Sequence, residues 1–356
     1  MGLLCRLLGH DYGSDDICGR CGTSRGSKGL KFKKTADKGG YVLISARDCT
    51  DEVITVPQFY KKKIVKEIGK DAFYGRTEPY RVVLHRDLEH IGPFAFASSA
   101  LLDVDYRGAH CTLDEFVFDQ CERLTHLPLP EGITHIPESA FSGCLALTEV
   151  TLPESVVSVG EDAFYDCRAL EHFDYDSDTI ELCARAFWDC VALESIRLPD
   201  GMRELPESLL RGCVSLRELT IPDSVIIIGE YALCDCVGLR EITLPEGVAS
   251  VGSGAFSGCT GIESFTFPTS LTDFVPSEQS KGDIFCGCAG LRELHIHPNF
   301  KHFPSGMLKD CTSLTDIYLE GGKSLDWRAI QKDDGWDEGS ATYVVHCING
   351  RIRKGC

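Results

Sequence analysis

Nine cysteines stand at an almost fixed interval along this chain. Cys121, Cys144, Cys167, Cys190, Cys213, Cys236 and Cys259 follow one another every 23 residues, Cys288 comes after 29, and Cys311 after 23 again. A period of that length marks a repeat architecture, in which each unit buries its apolar face only against its neighbours. Overlaid, the segments give one unit: Ala140-Phe141-Ser142-Gly143-Cys144, two variable residues, Leu147-Thr148-Glu149-Val150-Thr151-Leu152-Pro153, then the apolar Val156-Val157-Ser158-Val159-Gly160. The next copies read Ala163-Phe164-Tyr165-Asp166-Cys167 and Ala186-Phe187-Trp188-Asp189-Cys190, and later ones Ala255-Phe256-Ser257-Gly258-Cys259 and Ile284-Phe285-Cys286-Gly287-Cys288. The pattern continues backwards in degraded form through Ala95-Phe96, Ala72-Phe73 and Ile54-Thr55-Val56-Pro57. Roughly eleven or twelve turns are predicted between residues 41 and 320.

Each part of the unit has a physical task. Leu147, Val150 and Leu152 alternate with polar residues and predict a short strand with one apolar face. Pro153 lacks a backbone donor and ends the pairing. The Val/Ile stretch returns along the opposite wall to a glycine (Gly160, Gly229, Gly252) expected to permit a bend. The Ala-Phe-x-Gly/Asp-Cys element turns back through a helical or 3-10 turn with its Phe inward. A strand-rich solenoid of the α/β class follows. At about 4.8 Å per strand it is on the order of 50 Å long.

The cysteine ladder has two readings, a redox or metal array, or a column of small core residues under each turn. Every turn repeats it, so the core reading is preferred. The off-ladder Cys183, Cys234 and Cys286 read the same way. A chain that is 43% hydrophobic and 25% charged can bury a core, which excludes global disorder. The charge is uneven: residues 1–75 hold 14 Lys/Arg against 9 Asp/Glu, and residues 76–356 hold 22 against 45. So acidic a body repels phosphate backbones, so nucleic acid is not an expected ligand of the solenoid. No stretch approaches the roughly 20 apolar residues of a membrane span. The N-terminal residues lack a basic region and an apolar core of signal-peptide length, so a reducing cytoplasm is the expected location.

The Ala-Phe-x-Gly/Asp-Cys-x-x-Leu-x-x-Val-x-Leu-Pro unit resembles the BspA-type (Treponema-type) leucine-rich repeat, over roughly 280 of the 356 residues. The resemblance implies a right-handed, horseshoe-like solenoid with a parallel sheet on its concave face. It also implies a protein- or ligand-binding role, commonly on bacterial or protist cell surfaces. The missing secretion signal is the departure from that pattern.

Residues 1–25 are not repeat. Cys5, His10, Cys18 and Cys21 have the donor set and spacing of a Cys₃His zinc site, and a segment this short rarely folds without a metal or disulfide. Four protein ligands leave no open position, so the expected role of zinc is structural or as a docking point. The alternative is a leader whose cysteines are incidental. Residues 26–40 read as a linker or a poorly matched first cap strand, and residues 321–356, with Trp327 and Trp336, as a C-terminal cap. His85-Arg86-Asp87-Leu88 spells the start of a kinase catalytic loop, but Gly92 stands where Asn belongs and no phosphate loop precedes it. No hydrolase elbow, Walker loop or zinc-protease motif is present, and a non-enzymatic protein is expected.

Two outward strand columns offer a contact surface. One holds Glu149, His172, Ser195, Glu218, Glu241, Ser264, Glu293 and Asp316, the other Thr151, Asp174, Arg197, Thr220, Thr243, Thr266, His295 and Tyr318. Threonine suits an exposed strand without any function. Like charges on neighbouring strands repel, so Glu149, Glu218, Glu241, Glu293 and Asp316 point to a basic partner surface, with Arg197 and Tyr318 beside them. A solvated face that resists aggregation is the plainer alternative. The six-residue insertion around residues 275–283 is a second candidate contact. The expected function is therefore a protein-binding scaffold. A cell-surface adhesin exported by a route the sequence does not show is the alternative.

Overall fold

The structure, a computed structural model, describes residues 26–354 apart from 127–128, 273 and 275–281. Cys5, His10, Cys18 and Cys21, and nearly all of the insertion, lie outside the described residues. The chain forms two compact units, Met1–Val156 and Val157–Cys356.

In the first unit two ladders of short strands face each other across a ring-filled core. One runs through Tyr41–Ser45, Lys63–Ile68, His90–Ile91 and Thr112–Leu113, all parallel, with Ile68 opposite Ile91 and Ile91 opposite Leu113. The other joins Val53–Thr55, Tyr80–Val83 and Leu101–Asp105, with Ile54, Val82 and Val104 in register and fully buried. Between them Phe73, Phe96, Phe118 and Phe141 stack at centroid distances of 4.9, 5.3 and 5.4 Å. Within residues 26–40, Lys31–Lys34 pairs antiparallel with Tyr41–Ser45.

In the second unit the return wall carries Ser158–Val159 paired with Glu181–Leu182, and a ladder of Glu204–Leu205, Ile227–Ile228 and Ser250–Val251. The opposite wall carries Ser264–Thr266, Glu293–Ile296, Asp316–Leu319 and Val344–Cys347 in parallel, closed by the antiparallel strand Gly350–Arg353. Phe164 stacks on Phe187 at 5.8 Å and Phe256 on Phe285 at 5.4 Å. The α-helix among the described residues, Ser324–Ala329, buries Trp327 under the last turns. No helix among the described residues is long and apolar enough to cross a membrane.

The ladder cysteines are fully buried and each has a partner. The thiol of Cys121 donates to the Phe96 carbonyl at 3.2 Å, and Cys190, Cys213, Cys236, Cys259 and Cys311 repeat that bond with the residue 26 positions earlier at 3.0–3.3 Å. Cys288 reaches Phe256 at 3.0 Å across the longer turn. A weak S–H donor thus satisfies one carbonyl of the preceding turn without adding a group that demands more. Burial pushes these thiols up, to about 12 at Cys121 and Cys311. Among the described residues no group of three or more His, Cys, Asp or Glu could hold a metal ion. The ladder is a core column.

The residue before the cysteine explains the Gly/Asp alternation of the unit. Gly143, Asp166, Asp189, Gly212, Asp235, Gly258 and Asp310 all have φ between 57° and 73°, the left-handed region that glycine enters freely and Asp tolerates. The glycines closing the return wall differ from the expectation. A Cβ on Gly229 would lie 2.7 Å from the Leu205 carbonyl oxygen, and one on Gly252 2.6 Å from the Glu230 nitrogen. They admit close backbone contact between turns; neither is among the residues with positive φ.

Candidate binding face

The strands Ser264–Thr266, Glu293–Ile296, Asp316–Leu319 and Val344–Cys347 alternate buried and outward side chains, because Phe265, Leu294, Ile317 and Val345 fill the core. Their register puts Ser264, Glu293, Asp316 and Val344 in one outward row and Thr266, His295, Tyr318 and His346 in the next. Tyr318 is sandwiched between the two imidazoles, at 4.6 Å from His295 (13° between planes) and 4.6 Å from His346 (15°). Such ring pairs contribute about 0.5–1.5 kcal/mol each beyond their buried area.

Carboxylates fix the rings. Glu320 lies 2.8 Å from His295 Nδ1 and Glu293 3.7 Å from its Nε2, while His346 Nε2 is hydrogen-bonded to Asp316. The bonds from His346 and then Thr315 hold the Asp316 carboxyl below its ordinary value, and partial desolvation followed by Asp316 and Glu293 pushes the Tyr318 phenol up. The result is a half-buried, pre-ordered patch of three rings and three carboxylates. It presents π-faces, a phenol and acceptor oxygens at the surface of the sheet.

The other expected contact residues divide. Glu149 is exposed on the strand Glu149–Thr151 of the first unit. Arg197 is committed within the chain, since it pairs with Asp178, donates to the Tyr175 carbonyl at 2.9 Å and lies 4.6 Å over the Tyr175 ring. Glu218 and Glu241 border a cleft of about 1290 Å³ with Val214, Arg217, Val237 and Arg240. Its floor departs from the expected sheet. Ser195 and Glu218 form one isolated bridge, and among the described residues 240–244 donate no backbone–backbone hydrogen bond. Exposed Arg217, Arg240 and Arg292 stand one residue before Glu218, Glu241 and Glu293.

Sequence reasoning missed His346 and Glu320. The final turn is longer than the repeat unit, so Val344-Val345-His346-Cys347 read as cap, although its alternation matches Leu294-His295-Ile296 and Ile317-Tyr318-Leu319. His85, dismissed with the kinase-like motif, is buried without a partner for either ring nitrogen among the described residues, and burial lowers its pKa to about 4 against the pull of Asp87.

A family model described as the BspA type leucine-rich repeat region matches residues 52–171, 157–279 and 276–331 in six copies. No curated protein matches the sequence. Among solved structures, a leucine-rich repeat protein from Bacteroides ovatus is 22% identical with a TM-score of 0.60, covering 89% of this chain and 77% of that one. The pneumococcal vaccine antigen PcpA is 18% identical with a TM-score of 0.60 and 88% of each chain covered. A leucine-rich cell surface protein of Faecalibacterium prausnitzii is 22% identical with a TM-score of 0.53, covering 88% of this chain and 98% of that one. At these identities the likeness is one of fold.

Proposed function

Because the chain belongs to the BspA type leucine-rich repeat family, we propose that it is a non-enzymatic scaffold that binds another protein through the outward face of its repeat strands. The right-handed winding, and the placing of that face on the concave side, belong to the same reading. The observation that carries it is the His295–Tyr318–His346 stack with Glu293, Asp316 and Glu320 around it. Rings already ordered lose little entropy on contact, and aromatic side chains dominate the energy of protein interfaces. The partner carries basic residues opposite Glu293, Asp316 and Glu320, the three carboxylates gathered around the rings.

A photo-crosslinking residue at position 318 tests this in the source cells. It should trap one protein reproducibly, and Glu293→Lys with Asp316→Lys should remove that product. Trapping from position 204 on the return wall, with none from 318, would move the interface to the other wall. The description of one structural neighbour as a cell surface protein favours a second reading, an exported adhesin in place of a cytoplasmic scaffold. Membrane-impermeant biotinylation of intact cells decides between them.

The proposal keeps zinc as a structural ion of Cys5, His10, Cys18 and Cys21. The purified chain should then carry about one zinc per molecule, and Cys18→Ser with Cys21→Ser should lose it.

A further inference from the structure

Among the described residues, the sheet that carries the ring stack ends in an open edge. Gly350–Arg353 pairs antiparallel with Val344–Cys347, placing Val345 opposite Ile352, His346 opposite Arg351 and Val344 opposite Arg353. The Lys354 N–H donates to the Tyr343 carbonyl at 3.0 Å, and the Val344 N–H donates the other way, to Thr315 at 2.8 Å. Antiparallel pairs alternate between bonded and non-bonded. That phase gives the Ile352 backbone to its partner strand and turns the N–H and C=O of Arg351 and Arg353 outward.

We propose that this edge takes up an extended, acidic segment of a partner protein as an added strand. Three independent features converge on it. The backbone groups of Arg351 and Arg353 meet no other strand among the described residues. Neither guanidinium makes an ion pair among them, in a chain whose residues 76–356 hold 22 basic against 45 acidic groups. The two most exposed large apolar side chains of the described residues, Leu325 at 72% and Ile348 at 65%, stand beside it. Each is next in sequence to one half of the Ser324–Asn349 hydrogen-bonded clasp.

Basic residues on an edge strand also keep edges apart, and the Lys31–Lys34 strand follows that rule. The rule accounts for the charge and leaves Leu325 and Ile348 unexplained, since uncovered apolar groups work against it. It does exclude one occupant: two copies of this edge would oppose Arg351 and Arg353 to themselves. An acidic strand with alternating apolar residues satisfies the backbone, the charges and the apolar pair together.

The test uses the full chain and the peptide Glu-Val-Thr-Val-Asp-Val-Glu, with a Lys-for-acid version as control. The acidic peptide should bind and slow hydrogen exchange at the amides of Arg351 and Arg353. The control should not bind. Arg353→Pro removes one outward donor without touching the bonded pairs, and Arg351→Glu with Arg353→Glu reverses the charge on an unaltered backbone. Each should weaken binding by about tenfold or more. If the proline variant fails to fold, the charge reversal decides alone. The proposal falls if neither variant changes the affinity, or if exchange slows only elsewhere. It also falls if sedimentation shows the chain dimerising through this edge.

Discussion

At the scale of single residues, the thiols separate by environment. The ladder cysteines are sealed and held protonated by burial, whereas Cys183, Cys286 and Cys347 are half-exposed. Brief alkylation of the native protein followed by peptide mapping should modify those three and leave Cys213, Cys236 and Cys259 untouched until denaturant is added. Modification of the ladder at native rates would contradict its place in the core. His85 gives a pH dependence. Its pKa falls from 6.5 to about 4 on folding, so the folded state prefers the neutral ring. Stability from this source is intact above pH 6.5 and drains as pH drops towards 4. One proton between pH 6.5 and 5 amounts to about 2 kcal/mol. Urea midpoints at the two pH values should differ for the natural chain, and His85→Phe should remove that part of the difference.

At the scale of elements, the left-handed residue before each cysteine is the point of least tolerance. Gly258 has φ of 73°, and a Cβ there would collide with the Asp235 carboxylate of the preceding turn. Gly258→Ala should lower stability by about 1–3 kcal/mol. The double variant Gly258→Ala with Asp235→Gly should recover part of it, and denaturant titration reads both.

Much of this level was legible in the sequence. The period, the inward Phe and Cys, and the register of His295 with Tyr318 all follow from side-chain alternation, which a 23-residue unit repeats faithfully. The wall on which the hydrogen-bond ladder forms was not legible, because Leu239-Arg240-Glu241-Ile242-Thr243-Leu244 alternates as well as any true strand. Pairing depends on how closely and at what angle neighbouring turns approach, which is a tertiary property and leaves no periodic trace. His346 was hidden for another reason: its turn breaks the spacing on which the columns were built.

At the scale of the whole molecule, the outermost strand of each unit among the described residues is antiparallel and rich in Lys or Arg, Lys31–Lys34 in the first and Gly350–Arg353 in the second. A stack of parallel strands cannot close on itself, so the last rung needs a cover that does not invite another. A chain ending after Asn349 exposes the bare edge of Val344–Cys347 and should form concentration-dependent oligomers in sedimentation velocity where the full chain does not. Equal behaviour of the two would show that Gly350–Arg353 does not protect that edge.

The bond from a ladder cysteine to the carbonyl one turn back has a consequence for how such a chain can change its length. It is a contract between neighbours alone: Cys311 needs only the turn that holds Phe285, and Cys288 keeps its bond with Phe256 across six extra residues. Duplicating or deleting one whole unit in the gene leaves every remaining bond with a partner of the same kind. The number of turns is therefore open to drift under selection, as the number of residues in a closed core is not.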